Sequence, residues 1–318
     1  MKRGGPVIKK CYVFFNRNTA MFFLLLAVFW PGTALPQTVL LTDDLGFKLE
    51  LKSCPQRIVS LAPNLTEILF ALGLNDQVVG VTRFCDYPAE ARAKTIVGGL
   101  VDPNLEIIQS LHPDLVLGFR GNPQSLLERL RRLSLPLFVF EQGQTFDDLF
   151  RLITRIGQLT CRTRAAEELV NKMRQELSAT EMAVSREATG KKVFLTIYGQ
   201  GNGLWTCGRD SYMSHLLEKA GARSITAEVP GNWLAITQEQ IIAGNPEIIL
   251  ILCQDEKVFE KARKSITELK ALRKIKAIKL NHIFFLEENV FSRFGPRLIR
   301  AYQQLVHVLY SEIPGNPR

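Results

Sequence analysis

Large aromatic side chains stand near the ends of the apolar runs in this 318-residue sequence. Six of them follow predicted strands or lie in the loops between elements: Phe84, Phe119, Tyr198, Trp205, Trp233 and Phe291. Trp205 is expected in the glycine-rich loop that begins with GQGNG, and Trp233 just before a helix. In open α/β sheets, ligands bind beyond the carboxyl ends of the strands. Because aromatic rings offer stacking and apolar contact, the pattern favours a cleft for a large, flat and mostly apolar molecule.

Motifs for catalysis are absent from the sequence. It contains no GxxxxGK[ST] phosphate loop, no GxSxG elbow and no SxxK pair. The GQGNG run follows a predicted strand, but LWTCG follows it where a dinucleotide fingerprint requires a helix. The four histidines show neither HxH nor HExxH spacing: His112, His215, His282 and His307. The residue pattern therefore favours binding, with no reaction and no protein-bound metal.

One fifteen-residue pattern occurs twice. LEIIQSLHPDLVLGF at residues 105–119 matches QEQIIAGNPEIILIL at residues 238–252. In each copy a glutamate, Glu106 or Glu239, precedes a proline by seven residues, and an apolar run follows. Since the residue before a proline is disfavoured in a helix, each copy predicts a short helix, a turn and a strand. The repeat indicates two structural units of one design.

Alternating strand and helix patterns predict an α/β fold with mainly parallel sheets flanked by helices. TVLLTDDLGFKLELK predicts a leading β-hairpin, and Asn64 with Glu67 predicts a capping box on the first helix. The segment from Gln158 to Thr189 lacks glycine and proline and predicts one long helix. We expect an N-terminal lobe at residues 35–160, an interlobe helix at 161–189 and a C-terminal lobe at 190–318.

The first 34 residues resemble a cleaved secretory signal. They hold five basic residues, no acid and an apolar run of eleven residues, too short to cross a bilayer as a helix. Without them 35 basic residues face 31 acids, so the net charge falls from +9 to about +4. The basic run EKARKSITELKALRKIKAIKL is interrupted by acids and has helical spacing, which indicates a solvated helix face and no nucleic-acid partner. We expect a secreted chain.

Five cysteines follow the expected signal: Cys54, Cys85, Cys161, Cys207 and Cys253. An odd number in an oxidising compartment leaves at least one free, and no pair has CxxC spacing. Two disulfides can form, but the pattern does not assign them. Cys253 lies in the apolar run IILILC, which favours a buried small hydrophobic residue.

In order along the chain, RIVSLAPNLTEILFALGL, VVGVTRFCDYP, VDPNLEIIQSLHPDLVLGF, ITQEQIIAGNPEIILIL and FSRFGPRLI resemble periplasmic binding proteins of cobalamin and ferric-siderophore ABC importers. The resemblance runs from about residue 40 to the C-terminus and is greatest to the cobalamin-binding branch. It implies a class III periplasmic binding protein-like fold, with two α/β lobes, one rigid interlobe helix and the ligand between the lobes.

The resemblance also implies roles for particular residues. Glu106 and Glu239 correspond to glutamates that dock on arginines of the membrane permease, whose separate ATPase subunit supplies the energy. The aromatic residues Phe84, Phe119, Trp233 and Phe291 correspond to the cleft walls, and Arg293 to a polar ligand contact. Cobalamin or a related corrinoid is the expected transported ligand, with no resident cofactor, and the chain is expected to be a periplasmic monomer. The chain departs from cobalamin binders at Gly98-Gly99-Leu100, where a tryptophan is common, and at Asn289, where an acid is common.

Three alternatives stay open at this point. The ligand could be haem or a ferric siderophore, with Tyr198 or Tyr212 for iron and Arg293 for an anionic chelate. A metallocluster enzyme on the same frame would require several cysteines to converge on the cleft, although their spacing shows no motif. The third alternative is an adaptor that binds only protein.

Overall fold

The computed structural model describes residues 39–184, 190–199 and 203–311. The expected signal at residues 1–34 lies outside this part. Within the described ranges, none of the helices combines the length and apolar character that crossing a bilayer requires. The chain starts with an antiparallel hairpin of β1 (Val39–Thr42) and β2 (Lys48–Leu51), as the alternating sequence predicts.

The N-terminal lobe is built on a fully parallel five-stranded sheet, as the strand and helix alternation predicts. Its strands are β3 (Ile58–Ser60), β4 (Val78–Val81), β5 (Thr95–Ile96), β6 (Leu115–Phe119) and β7 (Leu137–Phe140), in spatial order β5-β4-β3-β6-β7. The lobe's helices are α1 (Pro63–Ala71), α2 (Leu105–Ser110), α3 (Gln124–Arg132) and α4 (Phe146–Leu159), with a 3₁₀ turn at Ala89–Ala93.

Helix α5 (Thr163–Val184) joins this lobe to the C-terminal lobe. It starts later than the sequence predicts, because Cys161 adopts a left-handed conformation (φ 56°) and separates it from α4. Cys161 also forms a disulfide with Cys54, which precedes β3. The two helices pack closely, since a Cβ on Gly157 would meet the Cβ of Ala166 at 2.4 Å. The interlobe helix predicted at residues 161–189 is thus observed at Thr163–Val184, and residues 185–189 lie outside the described part.

The C-terminal lobe contains a mixed six-stranded sheet. Its strands are β8 (Lys191–Ile197), β9 (Leu204–Cys207), β10 (Ala222–Ser224), β11 (Trp233–Ile236), β12 (Ile248–Cys253) and β13 (Ile283–Glu287). The order is β11-β9-β8-β12-β13, with β10 paired to β8, and β9 runs antiparallel to both of its neighbours. The helices are α6 (Tyr212–Lys219), α7 (Gln238–Gly244), α8 (Glu256–Thr267), α9 (Lys276–Lys279), α10 (Glu288–Phe291) and α11 (Leu298–Ser311).

A single apolar core runs through both lobes. It includes Phe138 of β7, Met173 of α5, Leu216 of α6 and Tyr302 of α11, all nearly inaccessible to solvent. A separate cluster covers the outer face of each sheet, around Ile108 in one lobe and around Ile241, Ile251 and Cys253 in the other. Because the inner core is continuous, moving the lobes apart would expose apolar surface that is now buried.

Candidate functional site

A cleft of about 590 Å³ lies between the two sheets. The N-terminal lobe contributes Ala62, Pro63, Asn64, Leu100, Phe119 and Gln142. The C-terminal lobe contributes Ile197, Trp205, Tyr212, Trp233, Glu288, Ser292, Arg293 and Phe294. Phe119 and Ile197 end strands β6 and β8, and Glu288 directly follows β13, which agrees with ligand binding at the carboxyl ends of strands in open α/β sheets.

Three of the expected aromatic residues line the cleft: Phe119, Trp205 and Trp233. Phe119 ends β6, while both tryptophans belong to strands of the other lobe. Trp205 pairs with Ala235, two residues beyond Trp233, so the tryptophans are diagonal neighbours on one face of the sheet. The prediction that Trp205 lies in the glycine-rich loop is wrong, because antiparallel pairing with β11 extends the strand over it. The cleft therefore has an apolar wall in each lobe.

Phe84, Tyr198 and Phe291 are absent from the cleft lining. Phe291 is fully buried, in the core shared by the lobes, which corrects the expectation that it forms a cleft wall. Phe84 is 45% exposed, with the Arg83 guanidinium 5.8 Å from its ring centroid. Tyr198 is 36% exposed and follows Ile197, whose side chain is the one that reaches the cleft.

Arg293 supplies a cation to the cleft. Its Nη1 donates a hydrogen bond to Ser292 Oγ at 3.2 Å, whereas its buried Nε has no hydrogen-bond partner. It forms no ion pair within 4 Å in the part of the chain that the structure describes. Glu288 lines the same cleft, and burial raises its pKa, while the charge of Arg293 acts in the opposite direction. An acid thus stands one residue before Asn289, the position at which cobalamin binders commonly carry one.

Tyr212 lines the floor of the cleft. Its hydroxyl donates a hydrogen bond to the carbonyl oxygen of Phe291 at 2.8 Å, and its ring lies 5.3 Å from that of Phe294. Burial raises the pKa of this phenol far above its ordinary value of 10.0. The hydroxyl is thus neutral and already engaged with the protein.

Several residues that line the cleft were not predicted from the sequence, and most of them share one position in the fold. Ala62 to Asn64 follow β3, Gln142 follows β7 and Glu288 follows β13. Each stands just past the carboxyl end of a parallel strand. The sequence analysis predicts aromatic residues at such places as cleft walls, whereas the amides of Asn64 and Gln142 and the acid of Glu288 are not among the predicted site residues.

Asn64 and Glu67 do not form the predicted capping box on α1. Ala62 occupies the N-cap position without a side-chain hydrogen bond, and Pro63 lies in the first turn. Glu67 instead accepts hydrogen bonds from Arg297 of the other lobe, and Asn64 Nδ2 donates to the carbonyl oxygen of Phe294 at 3.4 Å. Helix α1 thus begins beside the cleft and bonds to the opposite lobe.

The repeated glutamates occupy equivalent positions. Glu106 and Glu239 are each exposed and second in their helix, after a capping side chain. Asn104 accepts from the amides of Glu106 and Ile107 on α2, and Thr237 accepts from the amide of Gln240 on α7. Hydrogen bonds from its own amide and from Thr237 lower the pKa of Glu239.

Buried isoleucines orient the two helices. Ile108 and Ile241 are both 0% exposed, two residues beyond the glutamates, as the sequence predicts. Each unit ends in a left-handed residue before its proline, with φ 44° at His112 and 43° at Asn245. The two lobes therefore present their glutamates from the same local structure.

Two α/β lobes around a partly apolar cleft define a solute-binding protein. The model of the periplasmic binding protein family matches residues 58–290, and the chain belongs to this family. Its architecture is that of class III periplasmic binding proteins. Proteins of this family bind solutes for ABC importers and are not enzymes, so this chain is a binding component of such a system.

Three known proteins illustrate the similarity. The vitamin B12-binding protein of Pectobacterium carotovorum subsp. carotovorum (strain PC1) is 31% identical over 82% of this chain and 91% of its own. A possible iron-binding (periplasmic solute-binding) protein from Staphylococcus epidermidis ATCC 12228 is 27% identical, with a TM-score of 0.72 over 81% of this chain and 100% of its own. The periplasmic heme-binding protein RhuT from Roseiflexus sp. RS-1 is 24% identical, with a TM-score of 0.71 over 80% and 97%.

Proposed function

We propose that the chain carries cobalamin or a related corrinoid in the interlobe cleft and delivers it to the permease of an ABC importer. The observation that carries this proposal is that Phe119 of one lobe and Trp205 and Trp233 of the other line the same cleft, together with Arg293. A large ring system can stack on such walls, and its polar substituents can bond to the guanidinium. The relative at 31% identity is a vitamin B12-binding protein, which supports the same ligand class.

Haem or a ferric chelate is the second candidate, because solved structures of similar fold bind haem or are described as iron-binding. Haem iron normally takes an axial histidine, methionine, cysteine or tyrosine from the protein. Among the described lining residues Tyr212 alone is of these types, and its hydroxyl is already bonded to the carbonyl oxygen of Phe291. A corrinoid carries its own axial ligands on cobalt, so the cleft suits it better.

A metallocluster enzyme has no support in the positions of the cysteines. Cys54 and Cys161 form a disulfide, and the remaining described cysteines, Cys85, Cys207 and Cys253, are buried in the apolar cores. None of the five lines the cleft.

Docking on the permease is proposed to use Glu106 and Glu239. Both carboxylates are exposed, one on each lobe, and both stand at the start of a helix that is capped and anchored by a buried isoleucine. Such rigid presentation suits a two-point contact with cations of a partner. We further propose that residues 1–34 are a signal that directs the chain to the periplasm.

Spectral titration of the purified chain tests the ligand. Cyanocobalamin, haem and a ferric hydroxamate are added separately, and bound ligand is measured by absorbance after desalting and by quenching of tryptophan fluorescence. We expect cobalamin to be retained at one molecule per chain and to quench the fluorescence. Retention of haem or the ferric chelate with no cobalamin would overturn the corrinoid assignment, and retention of none would overturn all three.

A further inference from the structure

Glu288 is the acid of the interlobe cleft. Among the described residues that line the cleft there are one carboxylate, Glu288, one guanidinium, Arg293, and one neutral phenol, Tyr212. The other polar side chains of this lining are uncharged amides and a hydroxyl. The described walls therefore carry one negative and one positive charge, and they offer no net attraction to a ligand with several negative charges.

The fold holds Glu288 in place at the wall of the cleft. It begins α10 directly after β13, and its backbone carbonyl oxygen accepts a hydrogen bond from the amide of Ser292 at 2.7 Å. Leu286 before it and Val290 after it are both buried in the core that the lobes share. Because the segment is anchored on both sides, the carboxylate meets a ligand from a fixed position in the backbone.

The Glu288 carboxylate has no partner in the part of the chain that the structure describes. It forms no ion pair within 4 Å there and accepts no hydrogen bond, although Arg293 lines the same cleft. Burial raises its pKa, because the ionised form is incompletely solvated. An N–H donor of a ligand would satisfy this carboxylate, whereas a carboxylate of a ligand placed beside it would be repelled.

We propose that Glu288 makes the cleft selective for a tetrapyrrole whose peripheral groups are amides and excludes one whose peripheral groups are carboxylates. Amide N–H groups can donate to Glu288 and amide oxygens can accept from Arg293, so an amidated ring satisfies both charges. A ring with two or more carboxylates meets a single cation and a repelling acid. The inference rests on the corrinoid assignment proposed above for the identity of the ring, since corrinoids of the cobalamin type carry amides where haem carries two propionates.

A comparison of the amide and acid forms of one ring tests this selectivity. Dicyanocobinamide, with peripheral amides, and dicyanocobyrinic acid, with carboxylates at the same places, are titrated separately against the purified chain at neutral pH, and tryptophan fluorescence reports binding. We expect wild type to bind the amide form at least about a hundredfold more tightly than the acid form. Glu288→Gln should narrow this ratio by about tenfold, because the acid form is no longer repelled, and Glu288→Lys should narrow it further.

Glu287→Gln is the matched control. Glu287 precedes Glu288 in the chain, but it ends β13 and lines a separate groove with Arg300 and Gln303 of α11. The substitution removes the same charge one residue away, so the ratio of the two affinities should stay at the wild-type value. A general loss of packing would weaken both ligands alike, and it would therefore leave the ratio unchanged.

The remaining outcomes decide against the proposal or move it to another ring. Equal affinities of wild type for the two forms, an unchanged ratio in Glu288→Gln, or the same change in Glu287→Gln would each overturn it. If neither corrinoid binds, the corrinoid assignment fails, and haem is compared with its dimethyl ester, which lacks the two carboxylates. A preference for the ester that is lost in Glu288→Gln would then support the selectivity, whereas a preference for haem, or binding of no ring, would overturn it.

Discussion

Arg297 of the C-terminal lobe donates two hydrogen bonds to Glu67 of the N-terminal lobe, from Nε at 3.0 Å and from Nη2 at 2.5 Å. The two residues are 230 positions apart, and their side chains are 13% and 3% exposed. Burial raises the pKa of Glu67, while the hydrogen bonds and charge of Arg297 act in the opposite direction. The guanidinium also lies 4.1 Å from the ring centroid of Tyr87. This buried pair joins the lobes near the cleft.

Removing one member of the pair should destabilise the protein strongly. Arg297→Met leaves the Glu67 carboxylate buried without its cation, and we expect the free energy of unfolding to fall by about 3–5 kcal/mol. Urea denaturation of both proteins measures the change. The double variant Glu67→Met/Arg297→Met removes both charges and should recover much of the loss, whereas a single variant as stable as wild type would show that the pair is solvated.

Reducing the disulfide should also lower stability. Cys54 and Cys161 close a loop with a sequence separation of 107 residues and tie the start of β3 to the turn before α5. We expect Cys54→Ser/Cys161→Ser to lose about 2–5 kcal/mol, because the unfolded chain regains the entropy of that loop. Thermal unfolding with and without reductant is the measurement. Cys85→Ser, at a buried cysteine with no disulfide, should retain its sensitivity to reductant.

Truncation of a cleft wall should weaken ligand binding. Trp233→Ala removes the aromatic surface that β11 offers to the cleft, and we expect cobalamin affinity to fall by about thirtyfold, as for a central aromatic contact. The spectral titration described above measures it. Phe84→Ala removes an exposed ring that does not line the cleft and should bind as wild type. Equal effects of the two substitutions would contradict the assigned walls.

Charge reversal at the repeated glutamates should separate docking from ligand binding. Glu106→Arg/Glu239→Arg is expected to abolish permease binding and uptake, because it places cations where the proposed docking contact requires acids. Ligand affinity should stay near that of wild type, since neither residue lines the cleft. Glu90→Arg/Glu256→Arg makes the same change at one exposed acid per lobe and should still dock. Loss of ligand affinity in the first variant would instead assign the glutamates a role in binding.

His215 should make stability depend on pH. It lies between the lobes, with its ring 6.2 Å from that of Phe146, and its Nε2 is buried without a hydrogen-bond partner. Burial and the nearby Lys219 lower its pKa below 6.5. Because the unfolded state then binds the proton more readily, stability should fall as the pH drops below 6.5 toward the lowered pKa.

Urea denaturation at several pH values measures this effect. His215→Gln cannot be protonated and should show a smaller loss of stability on acidification than wild type. His112→Asn serves as the control, because His112 is exposed and its left-handed conformation is one that asparagine tolerates. An identical pH profile for wild type and His215→Gln would refute the role of this histidine.

Local patterns in the sequence were sufficient to predict most helices and strands and the repeated helix-turn-strand unit. Strand and helix alternation predicted two α/β lobes, since side-chain periodicity reports which face of an element is buried. The spacing from Glu106 to Pro113 and from Glu239 to Pro246 predicted two matched helices. Hydrogen bonds within a few residues, donated by backbone amides to the side chains of Asn104 and Thr237, determine how those helices begin.

The composition of the cleft depended on tertiary structure. Phe119 and Trp233 were recognised because they flank predicted elements, but Phe291, in a similar position, is enclosed by the core that both lobes share. A position at the end of a strand indicates where the backbone places a residue. The packing of the opposite lobe decides whether the side chain of that residue lines a cavity or lies in the core. Glu288 also follows a strand, and the packing of the two lobes leaves its side chain in the cleft.

Long-range pairings were likewise decided only by the fold. Glu67 has the spacing of a capping residue, and yet its partner is Arg297 in the other lobe. The five cysteines allowed several pairings, and the sequence alone could not select Cys54 with Cys161. The sequence by itself determined the local elements, because their hydrogen bonds and periodicity span only a few residues. The tertiary structure decided which distant side chains meet, because burial and proximity arise only once both lobes have packed together.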